Sequence, residues 1–123
     1  MLKRTFEYVD YNGNKRKEDH YFNLTQAEIM EIEMKAEGGM GLQDMINRLI
    51  AAQDGGTIMD VVKNIIMKAY GVKSPDGRKF VKSKELSEDF AQTEAFSDLY
   101  VELLTDSAKT AEFINAIVPN KSE

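Results

Sequence analysis

The sequence predicts an α+β domain, mostly α, in which an N-terminal β-hairpin precedes a bundle of about five helices around a central helix at 57–70. Three observations carry this expectation. Asn12-Gly13 stands between two stretches rich in aromatic and β-branched residues, and this dipeptide suits a tight hairpin turn. Thr25 and Glu28 have the spacing of a capping box, with Leu24 and Ile29 placed to staple it. Within 57–70, Ile58, Met59, Val61, Val62, Ile65, Ile66, Ala69 and Tyr70 share one half of a helical cylinder at about 100° per residue. Asp60, Lys63, Asn64 and Lys68 fill the other half, where Met67 is the apolar intruder.

The elements follow in order. A two-residue turn at Asn12-Gly13 sets Leu2 opposite Asn23 and Glu7 opposite Glu18, an unfavourable like-charge pair. That register places Leu2, Phe6, Tyr8 and Tyr21 on one face, and Val9, Tyr11, His20 and Phe22 on the other. With aromatics on both faces, either the hairpin is imperfectly patterned or its second face or edge meets another chain. The first helix is expected to run from the capping box to Glu37 and stop at Gly38-Gly39. A second begins after Gly41, with Leu42, Met45, Ile46, Leu49 and Ile50 as its apolar stripe, and Asp54-Gly55-Gly56 ends it. Thr57 is expected to cap the central helix and Gly71 to close it in a left-handed conformation.

Residues 71–84 change character. Ser74-Pro75-Asp76-Gly77 is a turn by composition. Lys73, Arg78, Lys79, Lys82 and Lys84 against Asp76 give five positive charges and one negative, a local balance of +4 in a chain of net charge −5. A long helix is expected over 87–104, with Phe90, Phe96, Leu99, Tyr100, Leu103 and Leu104 on one side and an acidic stripe of Glu94, Asp98 and Glu102 on the other. Like charges at this spacing repel, so the stripe is either a solvated face or is met by cations. Ser107 is placed to cap a last helix that Pro119 ends. The organisation is a single domain: hairpin 1–24, helical 25–70, basic turn or loop 71–84, helical 85–118 and a tail at 119–123.

Chemistry is sparse. The chain has no cysteine, which excludes disulfides and thiolate metal sites and fits a reducing compartment. His20 is the single histidine, and no nucleophile, phosphate-loop or zinc spacing accompanies it; it reads as a surface or packing residue. Gly38-Gly39-Met40-Gly41 lacks both the preceding strand and the Lys-Ser/Thr ending of a phosphate loop. Asp54-Gly55-Gly56 is too short and too poor in acids for a calcium loop. The reading is therefore of a protein that is not an enzyme, without catalytic residues, cofactor or metal. No apolar run approaches the roughly 18 residues of a membrane span, and the N-terminal stretch is not that of a secretory signal. The net acidity argues against general nucleic-acid binding, although Phe80 amid the basic segment has the composition of a small nucleic-acid patch.

Tyr21-Phe22-Asn23-Leu24-Thr25, Ala52-Gln53-Asp54-Gly55 and above all Tyr70-Gly71-Val72-Lys73-Ser74-Pro75-Asp76-Gly77-Arg78-Lys79-Phe80 resemble the tail assembly chaperones of long-tailed phages and prophages of Gram-positive bacteria. The similarity continues through 82–87 and Phe90-Ala91-Gln92-Thr93-Glu94-Ala95 and covers nearly the whole chain. It implies binding without catalysis. The expected partners are the aggregation-prone tape measure protein and the tail tube protein, met by a homo-oligomer in the cytoplasm of the bacterial host and left behind before the mature virion. Seven methionines suit an adaptable surface for helices. Candidate partner contacts are Met67, Arg78, Lys79 and Phe80; candidate self-association residues are Val9 and Tyr11. The alternatives are a tail or neck component retained in the virion and a small nucleic-acid-binding regulator working through 73–84.

Overall fold

The computed structural model describes residues 1–35, 41, 42, 44, 47, 48, 51 and 55–119. A hairpin of β1 (Leu2–Val9) and β2 (Lys15–Phe22) leads to α1 (Gln26–Lys35) and α2 (Gly55–Ala69). A second hairpin, β3 (Tyr70–Lys73) and β4 (Phe80–Val81), is followed by α3 (Lys84–Ala91), α4 (Glu94–Thr105) and α5 (Ser107–Ile117). The four strands form one antiparallel sheet in the order β1-β2-β3-β4. The fold is α+β and mostly helical, with the helices covering one face of the sheet. The expected stripe residues Met45, Ile46, Leu49 and Ile50 and the break at Gly38-Gly39 lie outside the described residues; Leu42 is buried.

The first hairpin differs from expectation by one residue. Asp10 N–H donates to Asn14 O and Gly13 N–H to Asp10 O, so Tyr11, Asn12 and Gly13 form a three-residue loop with Gly13 at φ 82°. The Asp10 carboxylate accepts from the Asn12 and Asn14 amides and from Arg16, which stabilises this longer loop. Leu2 now pairs with Phe22, Phe6 with Glu18 and Glu7 with Lys17, replacing the like-charge pair with an opposite one. A one-residue slip turns β2 over. His20 and Phe22 join Leu2, Phe6 and Tyr8 on the covered face, while Lys3, Thr5, Glu7, Val9, Lys15, Lys17 and Asp19 face outward.

α2 is the central helix, with Val62, Ile65, Ile66 and Ala69 buried and Lys63, Asn64 and Lys68 exposed. It begins at Gly55, so Thr57 lies inside it. It ends without a left-handed glycine, because Tyr70 and Gly71 already pair with Phe22 and Tyr21 of β2. Gly71 serves a different need. A Cβ there would sit 2.6 Å from the Phe80 ring and 2.9 Å from Val81 O, so only glycine lets β4 lie this close.

The core joins both layers. Phe22, Leu24, Ile66, Leu99 and Ile117 are fully buried, and the Tyr70 and Phe90 rings stack at 4.3 Å and 4°. The helix expected over 87–104 is two helices, α3 and α4. Thr93 breaks it: its hydroxyl accepts from Phe96 N–H at 3.2 Å and donates to Phe90 O at 2.7 Å. A threonine that caps one helix while holding the end of another outcompetes continuation. The break sets Phe90 and Phe96 edge to face in the core, with 5.8 Å between centroids. Ser83 caps α3, and Asp106, not Ser107, caps α5 by accepting from Ala108 and Lys109.

Candidate interaction surfaces

The capping box forms as expected, with Thr25 N–H donating to Glu28 Oε1 at 2.8 Å and Glu28 N–H to Thr25 Oγ1 at 3.1 Å. Glu28 has a second task. Lys82 reaches it from beyond β4 at 2.8 Å and also donates to Asn23 O at 2.6 Å, tying α1 to both hairpins. Burial pushes the Glu28 carboxyl up, but hydrogen bonds from Lys82 and the Thr25 amide outweigh this and leave it below the ordinary carboxylate range.

The basic segment is therefore partly spent inside the molecule. Lys82 is half-buried, Lys73 lies 4.5 Å over the Tyr21 ring, and Lys84 approaches Glu88 at 3.9 Å. Phe80 is half-buried against the Gly71 backbone and is not a free stacking platform. Arg78 and Lys79 stand exposed at the tip of a well-braced turn. Ser74 N–H donates to Lys79 O, Lys79 N–H returns to Ser74 Oγ, and Asp76 accepts from the Ser74 hydroxyl and the Arg78 amide. These bonds, the Ser74 hydroxyl first, hold the Asp76 carboxyl below its usual range.

Met67 sits elsewhere, half-buried between α2 and α3 in an open cleft edged by Lys68, Lys82, Lys84 and Glu88. The intrusion into the polar half has this cause: α3 packs there, and the Ser87 hydroxyl donates to Met67 O at 2.8 Å. Val9 and Tyr11 are 53% and 78% exposed near the tip of the first hairpin, far in sequence and element from the other candidates. The structure thus brings Arg78 and Lys79 together, places Phe80 at the foot of the same hairpin, sets Met67 in a cleft it shares with Lys82, and puts Val9 and Tyr11 on the first hairpin.

One surface was missed at the level of sequence. Met30 and Met34 are 52% and 78% exposed on α1. Around the helix from them, a separate cleft of about 330 Å³ runs between α1 and α2, floored by Ile32, Leu42, Val61 and Ile65 and rimmed by Glu28, Glu31, Lys35 and Lys68. The signal was present, since Met30 and Met34 are spaced i, i+4 and lie off the face carrying Ile29.

His20 is a packing residue, 4.9 Å from the Phe90 ring centroid, 5.6 Å from Phe6 and 5.7 Å from Tyr70. Its Nε2 lies 3.4 Å from a Glu18 oxygen without the alignment of a hydrogen bond. Glu102 of the acidic stripe is met from within the chain, by a bidentate Arg4 at 2.9 and 3.1 Å. That hydrogen bonding, Arg4 foremost, lowers the Glu102 carboxyl despite its partial burial. Among the described residues, no group of three or more histidines, cysteines and acids is placed to hold a metal. No described helix is long and apolar enough to cross a membrane.

Exposed methionines on α1 and an apolar cleft between α1 and α2 are features suited to contact with other proteins. The particular class follows from comparison: the chain belongs to the phage tail assembly chaperone family, whose model matches residues 1–122. No curated protein and no solved structure matches it.

Proposed function

We propose that this chaperone binds the tape measure protein of its phage, holds it soluble, and helps recruit tail tube subunits around it. It does so without catalysis, as a homo-oligomer in the cytoplasm of the host, and does not remain in the mature virion. Family membership over residues 1–122 carries the reading. The exposed Met30 and Met34 support it, because flexible thioethers adapt to many helical faces, and so does the apolar cleft between α1 and α2. Arg78, Lys79 and Phe80 on the second hairpin and Met67 in its cleft are proposed as further contacts with tail proteins, and Val9 and Tyr11 as self-association residues.

Co-expression with the tape measure protein encoded by the same genome, followed by purification on a tag carried by this chain, tests the proposal. Co-elution of tape measure protein that is insoluble alone is the expected result. Insoluble tape measure protein with this chain eluting alone overturns it, and finding the chain in purified virions would favour a retained structural component.

A further inference from the structure

β1 is the outer strand of the sheet, and its second edge carries no backbone hydrogen bond among the described residues. Hydrogen-bonded and non-hydrogen-bonded pairs alternate along an antiparallel ladder. Asp10 N–H turns toward β2, to Asn14 O, so Tyr8, Phe6, Arg4 and Leu2 do the same. The phase is confirmed on β2, where Asn23 N–H turns the opposite way, to Ala69 O. Lys3, Thr5, Glu7 and Val9 therefore direct their N–H and C=O groups to the open edge. Their side chains are exposed on the outward face of the sheet. Lys3, Glu7 and the inward-pointing Arg4 are charges of the kind that discourage indiscriminate edge pairing, whereas β1 has neither a proline nor a bulge to prevent a charge-matched one.

From this geometry we propose that β1 pairs antiparallel with β1 of a second copy, about a two-fold axis at Thr5, to make one continuous sheet. A two-fold normal to the sheet joins outward face to outward face, so odd positions must oppose odd positions. Centred on Thr5, Lys3 lies opposite Glu7 of the second copy and Glu7 opposite its Lys3. The row Lys17, Glu7, Lys3 of the second copy then alternates in charge across the joint, continuing the Glu7 and Lys17 pair already made at home. On the covered face Leu2 meets Tyr8 of the second copy, and Arg4 meets its Phe6. A shift of the axis to Arg4 opposes two arginines, and a shift to Phe6 leaves Lys3 against Val9, with no charge pair. The Thr5 register alone is self-complementary in both charge and hydrogen bonding. Val9 thereby lies at the end of the paired edge, opposite Met1 of the second copy, and Tyr11 beyond it. The pairing rests on β1 and not on tape measure binding, so either can fail without the other.

The cysteine-free chain allows a direct test by cross-linking. Across a hydrogen-bonded pair the Cα atoms stand about 5.5 Å apart, within the roughly 4.4–6.8 Å that a disulfide spans. Under mild oxidation Thr5→Cys is expected to give a covalent dimer, while Lys17→Cys on β2 is not. Lys3→Cys and Glu7→Cys chains are expected to cross-link when mixed and not singly. Thr5→Pro removes the central donor from a position whose N–H has no partner among the described residues. It should sediment as a monomer with unchanged helical circular dichroism, and Lys3→Glu should weaken association on the order of tenfold. A wild-type chain that stays monomeric at its highest soluble concentration overturns the proposal. So does an oligomer that Thr5→Cys does not trap. If Thr5→Pro fails to fold, the cysteine pairs decide.

Discussion

At Gly71 the whole second hairpin depends on one absent methyl group. Alanine there would put Cβ 2.6 Å from an aromatic carbon and 2.9 Å from a carbonyl oxygen of β4. The ring can swing aside, but the Val81 backbone cannot do so without moving the strand. Gly71→Ala should cost about 1–3 kcal/mol in denaturant unfolding, and adding Phe80→Leu should recover only part of it. Two carboxylates set the acid limit. Glu28 and Glu102 are both held below the ordinary glutamate value of 4.5 by cations and amides. A carboxyl lowered in the folded state contributes stability above its unfolded pKa and loses it as pH falls through the folded one. Wild-type stability should therefore decline from about pH 4.5 downward. The double variant Glu28→Gln, Glu102→Gln should start less stable at pH 7 and show a flatter decline, as measured by melting temperature against pH.

Among the elements, the junction between α3 and α4 is the most consequential. Thr93 accepts from the Phe96 amide in the first turn of α4 and grips the last turn of α3 through Phe90 O. Thr93→Ala should lower stability by about 1 kcal/mol, and Thr93→Ser or Thr93→Asp should retain most of the cap. The expected continuous helix failed because the apolar period persists through Gln92-Thr93; two helices sharing a core side present the same period as one. β3 and β4 escaped notice for a related reason. They are four and two residues long, and their identity as strands comes from pairing with β2 and with each other, not from their composition.

For the molecule as a whole, Phe22 is the keystone between layers. It is fully buried on β2, within 5.8 Å, 5.7 Å and 5.5 Å of the ring centroids of Tyr70, Phe90 and Phe113. Phe22→Ala should therefore cost about 3–5 kcal/mol and loosen the sheet and α5 together, seen as one cooperative transition at lower denaturant. The proposed contact surface on α1 is separable from this core. Met30→Ser with Met34→Ser should leave the melting temperature nearly unchanged and reduce co-elution of the tape measure protein. A matched loss of both would assign the methionines to packing.

Much of this was local and so legible in the sequence. The capping box at Thr25, the turn at Ser74–Gly77, the hairpin at Asn12-Gly13 and the buried side of the central helix are all decided by residues within a few positions of one another. The resemblance, too, lay in contiguous words of sequence. What required the tertiary structure was every choice made between distant segments. The register of the first hairpin turned on the Asp10 side chain choosing a three-residue loop, which exchanged the faces of β2 and with them the setting of His20 and Phe22. The partner of Glu102 lay 98 residues away in Arg4, and that of Glu28 lay 54 away in Lys82. Caps, turns and periodicity are short-range energies that a sequence displays directly. Register, ion pairing and the fate of an exposed edge depend on what the folded chain brings alongside, and only the assembled core determines that.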